Sequence, residues 1–179
     1  MRIIGGEYGG RRVNPPSKMP YTRPTTDIAK EGLFNILQNN IELENLKTLD
    51  LFGGTGSISY ELASRGATHL TVVEKDPNMA EFIKKTGLDL KIGNLKVVKM
   101  DAFRFMEQCT DTFGFIFAGP PYALEAINDI PIIISEKNLL KQSGWFVLEH
   151  TPRNHYEGYP LFVTTRAYGT TLFSIFVNK

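Results

Sequence analysis

Apolar residues fall in two rhythms along this chain. Short runs at Thr48-Leu49-Asp50-Leu51-Phe52, His69-Leu70-Thr71-Val72-Val73-Glu74, residues 95–100, Phe113-Gly114-Phe115-Ile116-Phe117-Ala118 and Gly144-Trp145-Phe146-Val147-Leu148-Glu149 have the length and composition of buried strands. Between them, apolar residues recur at helical spacing: Ile58, Leu62 and Ala63, then Ala102, Phe105 and Met106, then residues 124–140, where Pro131 predicts two helices or one kinked helix. Strand and helix alternating from residue 47 onward predict an α/β domain with a largely parallel sheet. Residues 161–166 and 170–177, joined through Ala167-Tyr168-Gly169, predict an antiparallel hairpin that closes it.

The amino-terminal part reads differently. Arg2-Ile3-Ile4-Gly5-Gly6 and Gly10-Arg11-Arg12-Val13 are β-capable pieces around a glycine-rich turn, a hairpin too small to stand alone. A helix follows, with Thr26 as its cap, Asp27 in its first turn, and Ala29, Leu33, Ile36 and Leu37 as its apolar stripe. Asp76-Pro77 gives a second helix start of the same quality, a carboxylate cap followed by proline at the first helical position.

Candidate chemistry gathers where strands end. Asp50 precedes a turn built on Gly53, Gly54 and Gly56, and the helical period then opens at Ile58, which is a strand-loop-helix nucleotide site. No third glycine completes the dinucleotide fingerprint, and no Lys-Ser/Thr pair completes a P-loop. A carboxylate directly before the loop repels a pyrophosphate and suits a ligand carrying an ammonium group, such as S-adenosyl-L-methionine. Glycines used only for packing are the plain alternative. Glu74 lies about 20 residues past the loop, where an acid accepts from a ribose diol. Asp101, after the third strand, is either the cap of the following helix or an acceptor for an adenine amino group. Beyond the fourth strand, Gly119-Pro120-Pro121-Tyr122 fixes the direction of an aromatic ring at the sheet's carboxyl edge. These strand ends converge on one crevice in an open α/β sheet.

Composition narrows the setting. The chain has 179 residues and a formal net charge of +1, so an argument for nucleic acid has to be local. Arg2, Arg11 and Arg12 supply it, either as a solvated basic hairpin or as a phosphate-binding arm. The lone Cys109 allows no internal disulfide, and His69, His150 and His155 are too scattered for a metal site. No apolar run approaches the ~20 residues that cross a bilayer. A soluble, cytoplasmic, single-domain monomer without metal is expected. Arg153 and His155 are expected at the surface.

The motifs together resemble the bacterial RsmD-type methyltransferases, which modify the exocyclic N2 of a guanine in 16S ribosomal RNA. The matching pieces are Arg2-Ile3-Ile4-Gly5-Gly6 with Gly10-Arg11-Arg12, and Arg23-Pro24-Thr25-Thr26-Asp27 through Leu37. Asp50-Leu51-Phe52-Gly53-Gly54-Thr55-Gly56, Ser64-Arg65-Gly66-Ala67 and the Pro-Pro-Tyr corner complete the set. The resemblance spans essentially the whole chain. It implies a Rossmann-like class I methyltransferase: a seven-stranded, mostly parallel sheet with an antiparallel carboxy-terminal hairpin, preceded by a small β-hairpin and a helix. It implies S-adenosyl-L-methionine as donor, held by Arg23, Thr25, Asp50, Phe52, Gly53, Gly54, Gly56, Glu74, Lys75, Asp101 and Ala102. It implies catalysis at Gly119, Pro120, Pro121 and Tyr122, and RNA contact through Arg2, Arg11 and Arg12. The expected partner is 16S rRNA or a small-subunit assembly intermediate.

Two positions depart from the family pattern. Gly53-Gly54 stands where the family has Ala-Gly, and Gly119 stands where it has the aspartate of Asp-Pro-Pro-Tyr or Asp-Pro-Pro-Phe. That acid accepts a hydrogen bond from the target amine, so slow methyl transfer is expected here, with Gly119→Asp raising it. A noncatalytic RNA- or ribosome-binding protein that keeps the cofactor pocket is one alternative. An adenine-N6 DNA methyltransferase is another, disfavoured because the chain has no room for a DNA-recognition domain.

Overall fold

The computed structural model describes residues 1–19 and 24–179. Seven strands, β1 (Lys47–Asp50), β2 (His69–Val73), β3 (Leu95–Val98), β4 (Phe113–Ala118), β5 (Leu140–His150), β6 (Phe162–Tyr168) and β7 (Thr171–Val177), form one sheet in the order β3-β2-β1-β4-β5-β7-β6. β1 to β5 run parallel, and β7 is antiparallel to both β5 and β6. The helices are α1 (Asp27–Asn40), α2 (Ser57–Ser64), α3 (Pro77–Asp89), α4 (Ala102–Gln108) and α5 (Asp129–Glu136). None is long and apolar enough to cross a membrane.

Local chemistry explains most boundaries. Thr26 accepts from the Ala29 N–H at the start of α1, and Asp76 accepts from the Met79 N–H at the start of α3. The predicted break near Pro131 resolves into a 3₁₀ turn, Glu125–Asn128, running into α5. Pro131 sits in the first turn of α5, where its missing N–H would have no helical partner anyway. β5 starts earlier than its apolar run suggests, because Leu140 pairs with Phe113 before an irregular, exposed stretch at residues 141–143 returns to register at Trp145 opposite Phe115.

Successive residues of β4 divide the core. Phe115 and Phe117 face α1 and α2, packing with Leu33, Phe34, Leu37, Ile58 and Leu62. Ile116 and Ala118 face α4 and α5, with Met106, Ile130, Ile134 and Leu148. A strand covered on both faces is apolar throughout, as central β4 is, whereas the edge strand β6 carries Thr164, Thr165 and Arg166.

The amino-terminal hairpin is fastened to the sheet's covering layer. Arg2 and Arg12 pair in an isolated antiparallel bridge, while Ile3 and Val13 are buried against Tyr60, Val72, Ile83 and Leu90. Glu61 of α2, fully buried, accepts from the Ile4 and Gly5 N–H groups at 2.9 Å each. Its charge is met by Arg65 at 2.8 Å and by Lys30 at 3.7 Å. The Lys30 ammonium in turn donates to the Arg2 carbonyl and the Ser57 hydroxyl. Gly6 has φ +75°, and a Cβ there would lie 2.0 Å from the Ser64 carbonyl oxygen, so only glycine lets the hairpin lie this close to α2.

Candidate active site

Chain order reverses between β1 and β4, and beyond the carboxyl ends of the strands at that point lies a cleft of about 430 Å³. Asp50, Glu74 and Asp101, the three predicted strand-end acids, all line it, as do Phe52, Gly53, Gly54, Lys75, Ala102 and Thr25. The Gly119-Pro120-Pro121-Tyr122 corner closes its other end. Arg23 lies outside the described residues.

Asp50 is 2 % exposed. Burial pushes its carboxyl up to about 7, opposed by the Phe52 N–H, which donates to Oδ1 at 3.3 Å, and assisted by the negative charges of Glu74 and Glu149. A buried carboxylate at the wall of a cleft, paired with no cation among the described residues, has the chemistry to balance the charge of a cationic ligand. Glu74 accepts from the Gly54 N–H through Oε2 at 2.7 Å and from the Asp76 N–H through Oε1 at 3.0 Å. It ties the glycine loop to the start of α3. Asp101 caps α4: its Oδ1 accepts from the Phe103 and Arg104 N–H groups. The capping role and a cleft position therefore coexist in one side chain.

The glycines divide the two readings between them. Gly54 has φ +56° and presents its N–H into the cleft wall toward Glu74. Gly53 is closely packed, since a Cβ there would lie 2.5 Å from Val72 Cγ1, which would have to shift to admit it. Gly56 does not line the cleft. It has φ +83°, and a Cβ there would lie 2.4 Å from the Tyr60 ring, so its lack of a side chain accommodates an aromatic residue one turn further on.

One residue at the corner carried no sequence-based role. Glu149, at the end of β5, is 4 % exposed and lines the cleft beside Gly119. The Thr25 hydroxyl donates to its Oε2 at 2.7 Å, and the Tyr122 hydroxyl donates to its Oε1 at 3.0 Å. The signal was present: the fifth strand ends in an acid as the first three do. Arg153 and His155 are exposed, as expected. Arg2, Arg11 and Arg12 are exposed on the hairpin, with the Arg11 guanidinium 5.3 Å from the centre of the Tyr8 ring. Among the described residues, no group of three or more His, Cys, Asp or Glu side chains is arranged to hold a metal ion.

Residues 1–177 match the family described as conserved hypothetical protein 95. The chain belongs to this family, the RsmD family. It is 34% identical over 149 residues, 83% of this chain and 71% of the relative, to ribosomal RNA small subunit methyltransferase D of Escherichia coli K12. The protein of that name from Haemophilus influenzae is 31% identical over 153 residues, 83% of this chain and 78% of the relative. Among solved structures, that of hypothetical protein TTHA0928 of Thermus thermophilus superposes with a TM-score of 0.85 at 26% identity, covering 98% of each chain. The chain is thus an S-adenosyl-L-methionine-dependent rRNA methyltransferase of the RsmD family, with a class I methyltransferase fold.

Proposed function

We propose that this RsmD-family protein methylates the exocyclic N2 amine of a guanine in 16S rRNA, taken as a base turned out of its helix. The observation that carries the reading is the continuity of the cleft from Asp50, Glu74 and Asp101 to the Pro-Pro-Tyr corner. One end has the chemistry for a cationic nucleoside, and the other has a rigid aromatic platform.

When bound, S-adenosyl-L-methionine supplies an electrophilic methyl group on a sulfonium. The residues present fit it. Asp50 is a counter-ion for its ammonium, Glu74 offers acceptors to a ribose diol, and Asp101 has an oxygen, Oδ2, not used in capping α4. Thr25, Phe52, Lys75 and Ala102 complete the walls. The protein's task is then alignment, which contributes on the order of 7–11 kcal/mol when two reactants are held in reacting geometry. Pro120 and Pro121 fix the direction of Tyr122, whose ring stacks on the extruded base; a base left paired hides the edge that reacts.

Arg2, Arg11 and Arg12 contact rRNA phosphates. Their arrangement supports this, since Arg2 and Arg12 are directly cross-strand, a like-charge pair that costs stability unless an anion lies over it. The test is to incubate the protein with labelled cofactor and either naked 16S rRNA or small-subunit particles, then digest to nucleosides for mass spectrometry. N2-methylguanosine is expected. Methyl on a carbon, an oxygen or another base would refute the assignment.

A further inference from the structure

Position 119 lacks the side chain that would meet an amine, yet the space it would enter is not apolar. A Cβ built on Gly119 would lie 3.3 Å from Glu149 Oε2 and 3.0 Å from Phe117 Cε1. The absent side chain therefore points at a carboxylate delivered from the neighbouring strand. β4 and β5 pair in parallel through Ala118 and Leu148, so the residues that follow, Gly119 and Glu149, are neighbours across the strands at the cleft's edge.

Glu149 is also held as an acceptor. Two hydroxyls converge on it, Thr25 on Oε2 and Tyr122 on Oε1. A carboxylate accepts and never donates while ionised, with about four lone-pair directions over its two oxygens. Buried as it is, it favours ligands that present N–H or O–H donors and disfavours those that present lone pairs.

We propose that Glu149 is the substrate-recognition acid of this protein, its carboxylate accepting an N–H of the target base's exocyclic amine in the position that an acid at 119 would otherwise serve. The assignment rests on the function proposed above, an amine as methyl acceptor. The amine enters the space left open beside Gly119, on the Oε2 side, while the Tyr122 hydroxyl keeps its bond to Oε1. No proton is transferred in this contact. The bond turns the nitrogen so that its lone pair faces the cofactor end of the cleft, and it distinguishes a base with an amine from one without.

Inosine is guanosine without the exocyclic amine, which makes the pair a direct probe. With the full chain saturated by S-adenosylhomocysteine, guanosine should bind roughly 10- to 150-fold more tightly than inosine, the range for a hydrogen bond to a charged group. At pH 8, where Asp50 is ionised with or without the Glu149 charge nearby, Glu149→Ala should remove most of that preference while S-adenosylhomocysteine still binds, which also reports that the variant is folded. Glu149→Gln, which keeps the shape and loses the charge, should fall between the two. Adding Gly119→Asp to Glu149→Ala should restore the preference.

Equal binding of the two nucleosides by the parent chain overturns the assignment, and so does a preference that survives Glu149→Ala. Single-turnover methylation of small-subunit RNA separates this failure from failure of the function. If the parent and Glu149→Ala form N2-methylguanosine at the same rate, the function stands and Glu149 has no part in it. If the parent methylates some other kind of atom, the function itself falls.

Discussion

Asp50→Asn probes the physical basis of the cofactor end of the cleft. Burial raises the Asp50 carboxyl from 3.8 to about 7, a difference that favours the neutral acid by on the order of 4 kcal/mol at about 1.36 kcal/mol per pH unit. An ammonium placed against it favours the ionised form instead. S-adenosylhomocysteine carries that ammonium without the sulfonium, so its affinity should weaken about tenfold per unit as pH falls below 7, and level off above 7. Asparagine should remove this slope and weaken binding at pH 8 by roughly 10-fold or more, the value of a hydrogen bond to a charged group. Stability of the ligand-free chain should move oppositely. A carboxyl whose folded value lies above its unfolded value stabilises fully at pH below about 4 and loses that contribution as pH rises through 7. An asparagine amide does not titrate, so the variant should melt several degrees above the parent at pH 8 and near it at pH 4. Calorimetric titration from pH 5.5 to 8, with thermal melts at pH 4 and 8, checks both. A flat affinity profile for the parent would refute the counter-ion role, and equal melting at pH 8 would refute the burial argument.

Glu74→Ala should weaken S-adenosylhomocysteine binding measurably in calorimetry, by releasing the Gly54 N–H as well as by losing a ribose acceptor; unchanged affinity would remove Glu74 from the site. Replacing Arg11 and Arg12 by alanine should lower affinity for rRNA and reduce the slope of log K against log salt by about one unit for each phosphate no longer neutralised, with cofactor affinity untouched. Filter binding across a salt series reads this, and a fall in cofactor affinity alone would contradict it. Glu61→Ala leaves the buried Lys30 ammonium uncompensated and should cost about 3–5 kcal/mol in denaturant unfolding; a loss under about 1 kcal/mol would show that Lys30 finds another partner.

Elements fixed by nearby residues were legible in the sequence: the Thr26 and Asp76 caps, the apolar strands and the hairpin around Gly169; the convergence of Asp50, Glu74 and Asp101 followed from the alternation of strand and helix, which brings successive strand ends to one edge. What depended on contacts distant along the chain was not. Gly56 read as a ligand-approach glycine, yet it faces the Tyr60 ring and does not line the cleft, while Gly53, which does line it, also packs against Val72. The early start of β5 rests on Leu140 meeting Phe113, which the exposed polar residues 141–143 conceal. Glu149 read only as the end of a strand, because its meaning lies in being beside Gly119, and pairing register does not appear in a one-dimensional pattern. That adjacency also revises the expectation for Gly119→Asp in the parent chain. The new carboxylate would share a confined space with Glu149, and two carboxylates so placed resist ionising together, so the gain in turnover should be larger in the Glu149→Ala background.

The fastening of the amino-terminal hairpin bears on the selectivity of the rRNA contact proposed for it. Flexible basic arms lose conformational freedom when they settle on a phosphate backbone, which subtracts from their affinity. Here the Arg2 carbonyl, Ser57 and Glu61 meet at one buried ammonium, and the Ile4 and Gly5 amides are already engaged. The arginines are thus displayed on a frame whose shape is set before RNA arrives. On the rRNA contact proposed above, such a frame should dock as a rigid template selective for a particular spacing of phosphates, and discriminate among folded RNA surfaces where a loose tail would grip any of them.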